Sequence, residues 1–120
     1  MELYLDNDNI ERYLTDKEIW LFGAGLSGDD FIKTFGDKAN IVGFIDNFPK
    51  AEEKNGIAVL KLAQWKKIQK NNSYIVVSSD YYGKLIAEQL MNEGMCPFED
   101  FVVWDNKCIF HKDDNIDNYI

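Results

Sequence analysis

Apolar residues occur along the chain in short runs that alternate between strand-like and helix-like patterns. Residues 19–22, 41–45 and 101–104 are apolar without alternation, which is typical of strands that are buried on both faces. Two further extended segments, residues 57–60 and 74–77, lie between them. The pattern therefore predicts about five short strands.

Helical spacing of apolar residues separates these strands. Residues 26–35, 62–70 and 83–93 have apolar positions three and four apart, and residues 8–14 form a shorter segment of the same kind. For the last of the three long helices we expect an inward face and a C-terminal stop at Gly94. The predicted inward residues are Leu85, Ile86, Leu90 and Met91.

The alternation of strands and helices indicates an α/β fold with a parallel sheet and helices on both faces. We predict a small three-layer Rossmann-like domain with about five mostly parallel strands in the order 3-2-1-4-5. At 120 residues the chain is the size of a single domain. That domain would span residues 1–120, with a leading segment at 1–16 and a polar tail at 106–120.

A glycine-rich turn joins the first predicted strand to the helix that follows it. Gly23, Gly25 and Gly28 in the segment IWLFGAGLSGDDFIKTFG fit the G-x-G-x-x-G pattern of dinucleotide sites, which requires this strand and helix context. The first glycine permits the tight turn, the second lets a pyrophosphate approach, and the third allows close helix packing. The amides of Leu26 and Ser27 would then face the phosphate at the helix N-terminus.

Asp46 follows the second predicted strand, 18 residues after Gly28, close to the roughly 20 expected for a carboxylate that binds ribose hydroxyls. It would repel a 2′-phosphate, so we expect NAD to bind better than NADP. Asn47, beside it, is a second candidate binding residue. Asp29 and Asp30 oppose this interpretation, because their charge lies next to the predicted phosphate site. The alternative is a tight turn that binds nothing, with Asp46 capping a loop.

These motifs together resemble a family. The order GAGxxG, VGFIDN, a short G-x-x-V piece, IVVSS and a helix that ends in glycine is similar to the N-terminal domains of bacterial polysaccharide-biosynthesis sugar-nucleotide dehydratases. It also resembles the domain that precedes sugar acyltransferase repeats. The resemblance covers residues 17–105 and implies a nucleotide-binding module whose ligand is NAD(H) or a nucleotide-sugar.

The same resemblance implies roles for single residues. The three glycines of the turn would line the phosphates and Asp46 the ribose, while Ser78 and Ser79 would lie on the cofactor side of the fourth strand. A dehydratase would continue into a catalytic half and an acyltransferase into a repeat domain, and the 120 residues contain neither. We therefore expect no complete catalytic machinery, and a homodimer or a partner enzyme of glycan biosynthesis.

No catalytic or metal site emerges from the remaining polar residues. Tyr81 and Lys84 are three apart, not the four of a tyrosine–lysine acid–base pair on a helix. His111 is the only histidine and lies in the tail, so a nucleophile with a histidine base has no strong candidate. Three tail carboxylates would bind divalent cations only weakly; they are Asp113, Asp114 and Asp117.

Composition and charge limit the kinds of partner and the cellular location that we expect for the protein. A net charge of −8 argues against a general nucleic-acid binder, which needs a basic surface. No apolar run approaches the roughly 20 residues of a membrane span, the N-terminus lacks a signal-peptide pattern, and Cys96 and Cys108 form no disulfide framework. We therefore expect a cytoplasmic protein without membrane insertion.

Two other functions remain open. One is a small stand-alone enzyme, either an oxidoreductase or an S-adenosylmethionine-dependent methyltransferase, since the latter also combines a glycine turn with an acidic residue after the second strand. The other is a docking or oligomerisation domain that binds no ligand. Aromatic residues of the tail, Phe110 and Tyr119, could cover a sheet edge or a dimer partner in that case.

Overall fold

The computed structural model describes residues 4–79 and 82–105. Within them the chain forms one seven-stranded sheet with α-helices between the strands. The strands are β1 (Tyr4–Leu5), β2 (Glu18–Phe22), β3 (Asn40–Ile45), β4 (Glu53–Lys54), β5 (Ile57–Leu60), β6 (Ser73–Val77) and β7 (Phe101–Trp104). The α-helices are α1 (Asn7–Ile10), α2 (Leu26–Phe35), α3 (Leu62–Ile68) and α4 (Gly83–Asn92).

The sheet has the order β1-β7-β6-β2-β3-β5-β4. All of its neighbouring strands are parallel except β4, which runs antiparallel to β5. The α/β class and the mostly parallel sheet are as predicted, but the strand count and the complete order differ from the prediction of about five. The two unpredicted strands lie at the edges, and the five predicted ones keep their predicted order between them.

The two faces of the sheet carry separate apolar cores, so the domain has three layers. Alternate residues of β2 point to opposite faces: Ile19 and Leu21 pack with α1 and α2, whereas Trp20 and Phe22 pack with α3 and α4. Strands buried on both sides need apolar residues at every position. This is why the central strands appear in the sequence as uninterrupted apolar runs.

The leading segment does not form the single helix over residues 8–14 that the sequence predicts. It contains β1, the short helix α1 and a 3₁₀ turn at Glu11–Tyr13. The Asp6 side chain caps α1 by accepting a hydrogen bond from the Asn9 amide at 3.0 Å. β1 pairs with β7, so the edge beyond the last predicted strand is partly covered by the chain itself.

Two of the four apolar residues predicted to face inward in α4 are buried, and two are exposed. In α4 the buried positions are Gly83, Ile86, Ala87 and Leu90, a spacing of three and four that places one stripe against the sheet. Leu85 and Met91 lie outside that stripe and are 62% and 40% exposed. No helix within the described ranges combines the length and the apolar character that crossing a membrane requires.

Candidate functional site

The glycine turn lies at the carboxyl edge of the sheet, where parallel α/β domains bind their ligands. Gly23 has a φ of +124°, which L-residues with side chains rarely adopt. A Cβ atom at Gly28 would lie 2.5 Å from the Gly23 carbonyl oxygen, so α2 can approach β2 this closely only with glycine there. A Cβ at Gly25 would meet nothing within 4 Å, which leaves the middle of the turn open.

The amides expected to face a phosphate begin α2. Gly25 is the residue that precedes the helix, and the hydrogen bond nearest this end runs from the Asp29 amide to the Gly25 carbonyl at 3.2 Å. Leu26 and Ser27 therefore precede the intrahelical bonds, where amides are available to other acceptors. The structure thus brings the three glycines and the start of α2 together as the sequence predicts.

Asp46 lies against the glycine turn and is held in place by two backbone amides. Its Oδ2 accepts a hydrogen bond from the Ala24 amide at 3.1 Å, and its Oδ1 accepts one from the Phe48 amide at 2.9 Å. Each carboxylate oxygen has a second lone pair that can accept another hydrogen bond. The carboxylate therefore fixes the turn and still offers acceptors on the open side.

A cleft of about 530 Å³ opens beside Asp46, between the glycine turn and α4. Its volume is within the range of small-molecule pockets, roughly 300–1,000 Å³. Its lining combines backbone of the turn with polar and apolar side chains. The lining residues are Phe22, Gly23, Ala24, Gly25, Asp46, Asn47, Phe48, Ser79, Tyr82, Leu85, Ile86 and Gln89. We call this space the α4 cleft.

A second cleft of about 460 Å³ lies on the other side of Asp46, toward β4 and β5. It shares Ala24, Gly25, Asp46 and Phe48 with the α4 cleft. The remaining lining residues are Leu26, Asp29, Lys50, Ala51, Glu53, Lys54 and Val59. We call this space the hairpin cleft. The glycine turn and Asp46 thus stand between two adjoining cavities.

The two predicted serines have different positions. Ser79 lines the α4 cleft, and its hydroxyl accepts a hydrogen bond from the Tyr82 amide at 3.1 Å. Ser78 is fully buried and donates to the Gly23 carbonyl at 3.2 Å. It lies beneath the turn rather than in either cleft, so its position corrects the expectation that it faces a cofactor. A hydroxyl there holds the Gly23 carbonyl, and with it the positive-φ turn, from below.

Asn47 and Gln89 form a reciprocal amide pair across the α4 cleft. The Asn47 Nδ2 donates to Gln89 Oε1 at 2.9 Å, and Gln89 Nε2 donates to Asn47 Oδ1 at 3.0 Å. The pair joins the end of β3 to α4, and each amide keeps one N–H for another partner. The sequence predicted Asn47 but not Gln89, because only the fold brings α4 to this edge.

Lys54 is a further site residue that sequence reasoning missed. Its ammonium donates to the Ala24 carbonyl and, at 3.2 Å, to the Gly25 carbonyl. It also forms an ion pair with Asp29 Oδ1 at 2.9 Å. One of the two acidic charges that opposed phosphate binding is therefore paired.

A sequence signal for the strand that carries Lys54 did exist. Asn55 and Gly56 have φ angles of 54° and 80° and connect the antiparallel strands β4 and β5. An Asn-Gly pair between extended segments is the strongest short-range indication of a tight hairpin, because both residues tolerate positive φ. Applied here, it would have predicted β4 and brought Lys54 toward the edge of the sheet.

Large apolar side chains surround both clefts at the surface. Each is more than half exposed, and exposed apolar side chains that cluster around a groove are typical of binding sites. The residues and their exposed fractions are Leu26 at 82%, Phe48 at 87%, Tyr82 at 55% and Leu85 at 62%. We call this set the apolar rim.

Most of the other candidates lie outside the part of the chain that the structure describes. Lys84 is exposed, while Tyr81, His111 and the tail residues, including Cys108, Phe110, Tyr119 and the three tail aspartates, lie outside the described residues. Across 4–79 and 82–105, no three His, Cys, Asp or Glu side chains form a group that could hold a metal ion.

Comparison of the chain with protein-family models, with curated proteins and with solved structures found no match. The resemblance to sugar-nucleotide dehydratase domains therefore stays a prediction from motifs.

Proposed function

We propose that this protein is a nucleotide-binding module and that its ligand is NAD(H) or a nucleotide-sugar. The observation that carries the proposal is the position of the Asp46 carboxylate, hydrogen-bonded to the amide of Ala24, beside the open face of Gly25. A ribose acceptor and a place for phosphate are thereby adjacent. Two cavities adjoin them, enough space for groups on both sides of a diphosphate.

Each part of such a ligand has a suitable partner. The phosphates would lie over Gly25 and the first amides of α2, and the ribose hydroxyls would donate to Asp46. An aromatic base or a sugar ring would pack on Phe48 or Tyr82, whose exposed faces border the clefts. The Asn47–Gln89 pair could supply hydrogen bonds to an amide or an imide group.

The proposal also includes a biological role for the module. By its resemblance the module would serve bacterial surface-glycan or sugar-nucleotide biosynthesis in the cytoplasm, with the chemistry supplied by a partner enzyme. Among the described residues, the two clefts are lined by three carboxylates, two ammonium groups, two side-chain amides and two hydroxyls, and by no histidine or cysteine. This lining supports binding better than catalysis by a cysteine or by a nucleophile with a histidine base.

A thermal-shift panel tests ligand binding and identifies its class. The purified chain is heated with NAD, NADH, NADP, S-adenosylmethionine, coenzyme A, and UDP- and CDP-sugars. A ligand at a hundred times its dissociation constant adds about 2.7 kcal/mol of stability, which raises the melting temperature by several degrees in a domain of this size. We expect a shift with NAD or a nucleotide-sugar and a smaller one with NADP.

Replacing Asp46 then locates the site. Asp46→Ala removes the ribose acceptor, and losing hydrogen bonds to a charged group should weaken binding at least about tenfold. Asp30→Ala is the matched control, because Asp30 lies on α2 but lines neither cleft. Titration calorimetry below the melting temperature of each variant measures the affinities. Equal affinity of Asp46→Ala and wild type would refute the assignment.

The apolar rim favours a second candidate function, a docking domain that binds a protein rather than a nucleotide. The four rim side chains, each more than half exposed, lie together around the glycine turn. If no ligand of the panel raises the melting temperature and Phe48→Ser changes the oligomeric state, docking is favoured. A shift lost in Asp46→Ala would favour the nucleotide.

A further inference from the structure

We propose that Lys54 is a specificity-determining residue of this site, which allows phosphate at the glycine turn by neutralising Asp29. The inference rests on the proposed nucleotide-binding function and names the residue pair that sets its preference for phosphorylated ligands. Lys54 reaches the turn from β4, far from the glycines in sequence.

The Lys54 ammonium makes three contacts within the site. It donates hydrogen bonds to the carbonyls of Ala24 and Gly25 and forms an ion pair with the Asp29 carboxylate. Two of the three donors of an ammonium are thus directed at the turn, and its charge lies against Asp29. Lys54 therefore acts through Asp29 and the turn, as a positioning residue.

Asp29 is the group whose charge needs neutralising. It lies in the first turn of α2 and lines the hairpin cleft together with Gly25. A bare carboxylate beside bound phosphate would be a like-charge contact, which weakens binding. The ion pair with Lys54 at 2.9 Å removes most of that cost.

The balance of charges that line the hairpin cleft makes Lys54 decisive for the binding of phosphorylated ligands. The acidic residues of its lining are Asp29, Asp46 and Glu53, and the basic ones are Lys50 and Lys54. Without Lys54 three carboxylates would stand against one ammonium. A phosphorylated ligand would be disfavoured strongly, whereas a neutral nucleoside would be affected little.

A charge cycle tests this with matched probes. The cycle consists of four proteins: wild type, Lys54→Met, Asp29→Asn and the double variant. Each is titrated separately with ADP, adenosine, UDP and uridine, so that its affinity for each diphosphate can be compared with its affinity for the matching nucleoside. We expect Lys54→Met to weaken diphosphate binding at least about tenfold and nucleoside binding by less than about twofold. The double variant should recover most of the diphosphate affinity, because the unpaired carboxylate is gone.

Two further variants sharpen the test. Lys50→Met removes an equal charge from the same cleft and should change the diphosphate preference much less. Asp29→Asn alone frees the Lys54 ammonium and should strengthen diphosphate binding. That variant keeps the test decisive even where Lys54→Met fails to fold.

The outcomes separate this inference from the proposed function. Equal losses for nucleoside and diphosphate, unrestored by Asp29→Asn, would reduce Lys54 to a structural support and overturn the inference alone. Unchanged affinities in Lys54→Met would do the same. A wild-type protein that binds none of the four probes would overturn both the inference and the nucleotide-binding proposal.

Discussion

At the scale of single residues, the three glycines of the turn differ in what a methyl group would meet. At Gly28 it would lie 2.5 Å from the Gly23 carbonyl oxygen, and at Gly25 nothing lies within 4 Å. Overpacking typically costs about 1–3 kcal/mol, so Gly28→Ala should unfold at lower denaturant concentration. Gly25→Ala should fold like wild type but lose affinity, because its methyl group would occupy the ligand's approach.

Urea unfolding and calorimetric titration of both variants measure the two effects separately. Equal stability of Gly28→Ala and wild type would show that α2 can move away from β2. Undiminished ligand affinity of Gly25→Ala would show that the ligand approaches elsewhere.

Tyr74 provides a pH-dependent prediction. Its side chain is buried and its hydroxyl donates to the Phe98 carbonyl at 2.7 Å. Burial, followed by the charges of Tyr13 and Asp100, raises the pKa of Tyr74 well above the ordinary value of 10.0. The folded state thus holds the phenol proton more tightly than the unfolded state does. The resulting contribution to the free energy of unfolding is complete below pH 10 and is lost as the pH rises above it.

We therefore expect the free energy of unfolding of wild type to fall more steeply above about pH 10 than that of Tyr74→Phe. At neutral pH the same substitution should cost about 1 kcal/mol for the lost hydrogen bond. Parallel slopes for Tyr74→Phe and wild type in denaturant series across this pH range would contradict the prediction.

At the scale of elements, β1 matters more than its two residues suggest. It pairs with β7 through Tyr4 and Leu5, and the Asp105 amide donates to the Leu5 carbonyl at 2.8 Å. Uncovering a buried strand creates an edge that other chains can pair with.

Deleting residues 1–5 should lower the melting temperature and cause association that increases with protein concentration, since β7 would then have an unpaired edge. Sedimentation velocity at several concentrations measures the association. The control is Leu5→Val, which keeps the backbone of β1 and its pairing. A deletion variant that sediments like wild type at every concentration would show that β1 does not protect this edge.

At the scale of the whole molecule, the sequence predicted the central strands of the sheet and the helices that cover them, but not the two edge strands. Apolar runs such as β2 and β7 reveal strands because burial on both faces requires apolar residues throughout. The edge strands β1 and β4 have two residues each, too few for any periodicity to be visible. The part of the chain that the structure describes thus has two strands more than the five predicted.

The candidate site was predictable to a similar extent. The glycines and Asp46 follow a local motif, so the sequence could place them together. Lys54 and Gln89 contact them only through the order of strands and the packing of α4, which spacing does not reveal. The resemblance implies that Ser78 faces a cofactor at the end of the fourth strand, but the side chain is fully buried beneath the turn.

The hydrogen bonds around Asp46 and Lys54 have a consequence for the thermodynamics of association. Two amides already orient the carboxylate, and one ammonium already anchors two carbonyls of the turn. The backbone of the site is thus ordered by folding itself. Binding commonly loses affinity to the ordering of loops, and a preorganised turn of this kind avoids most of that entropic penalty.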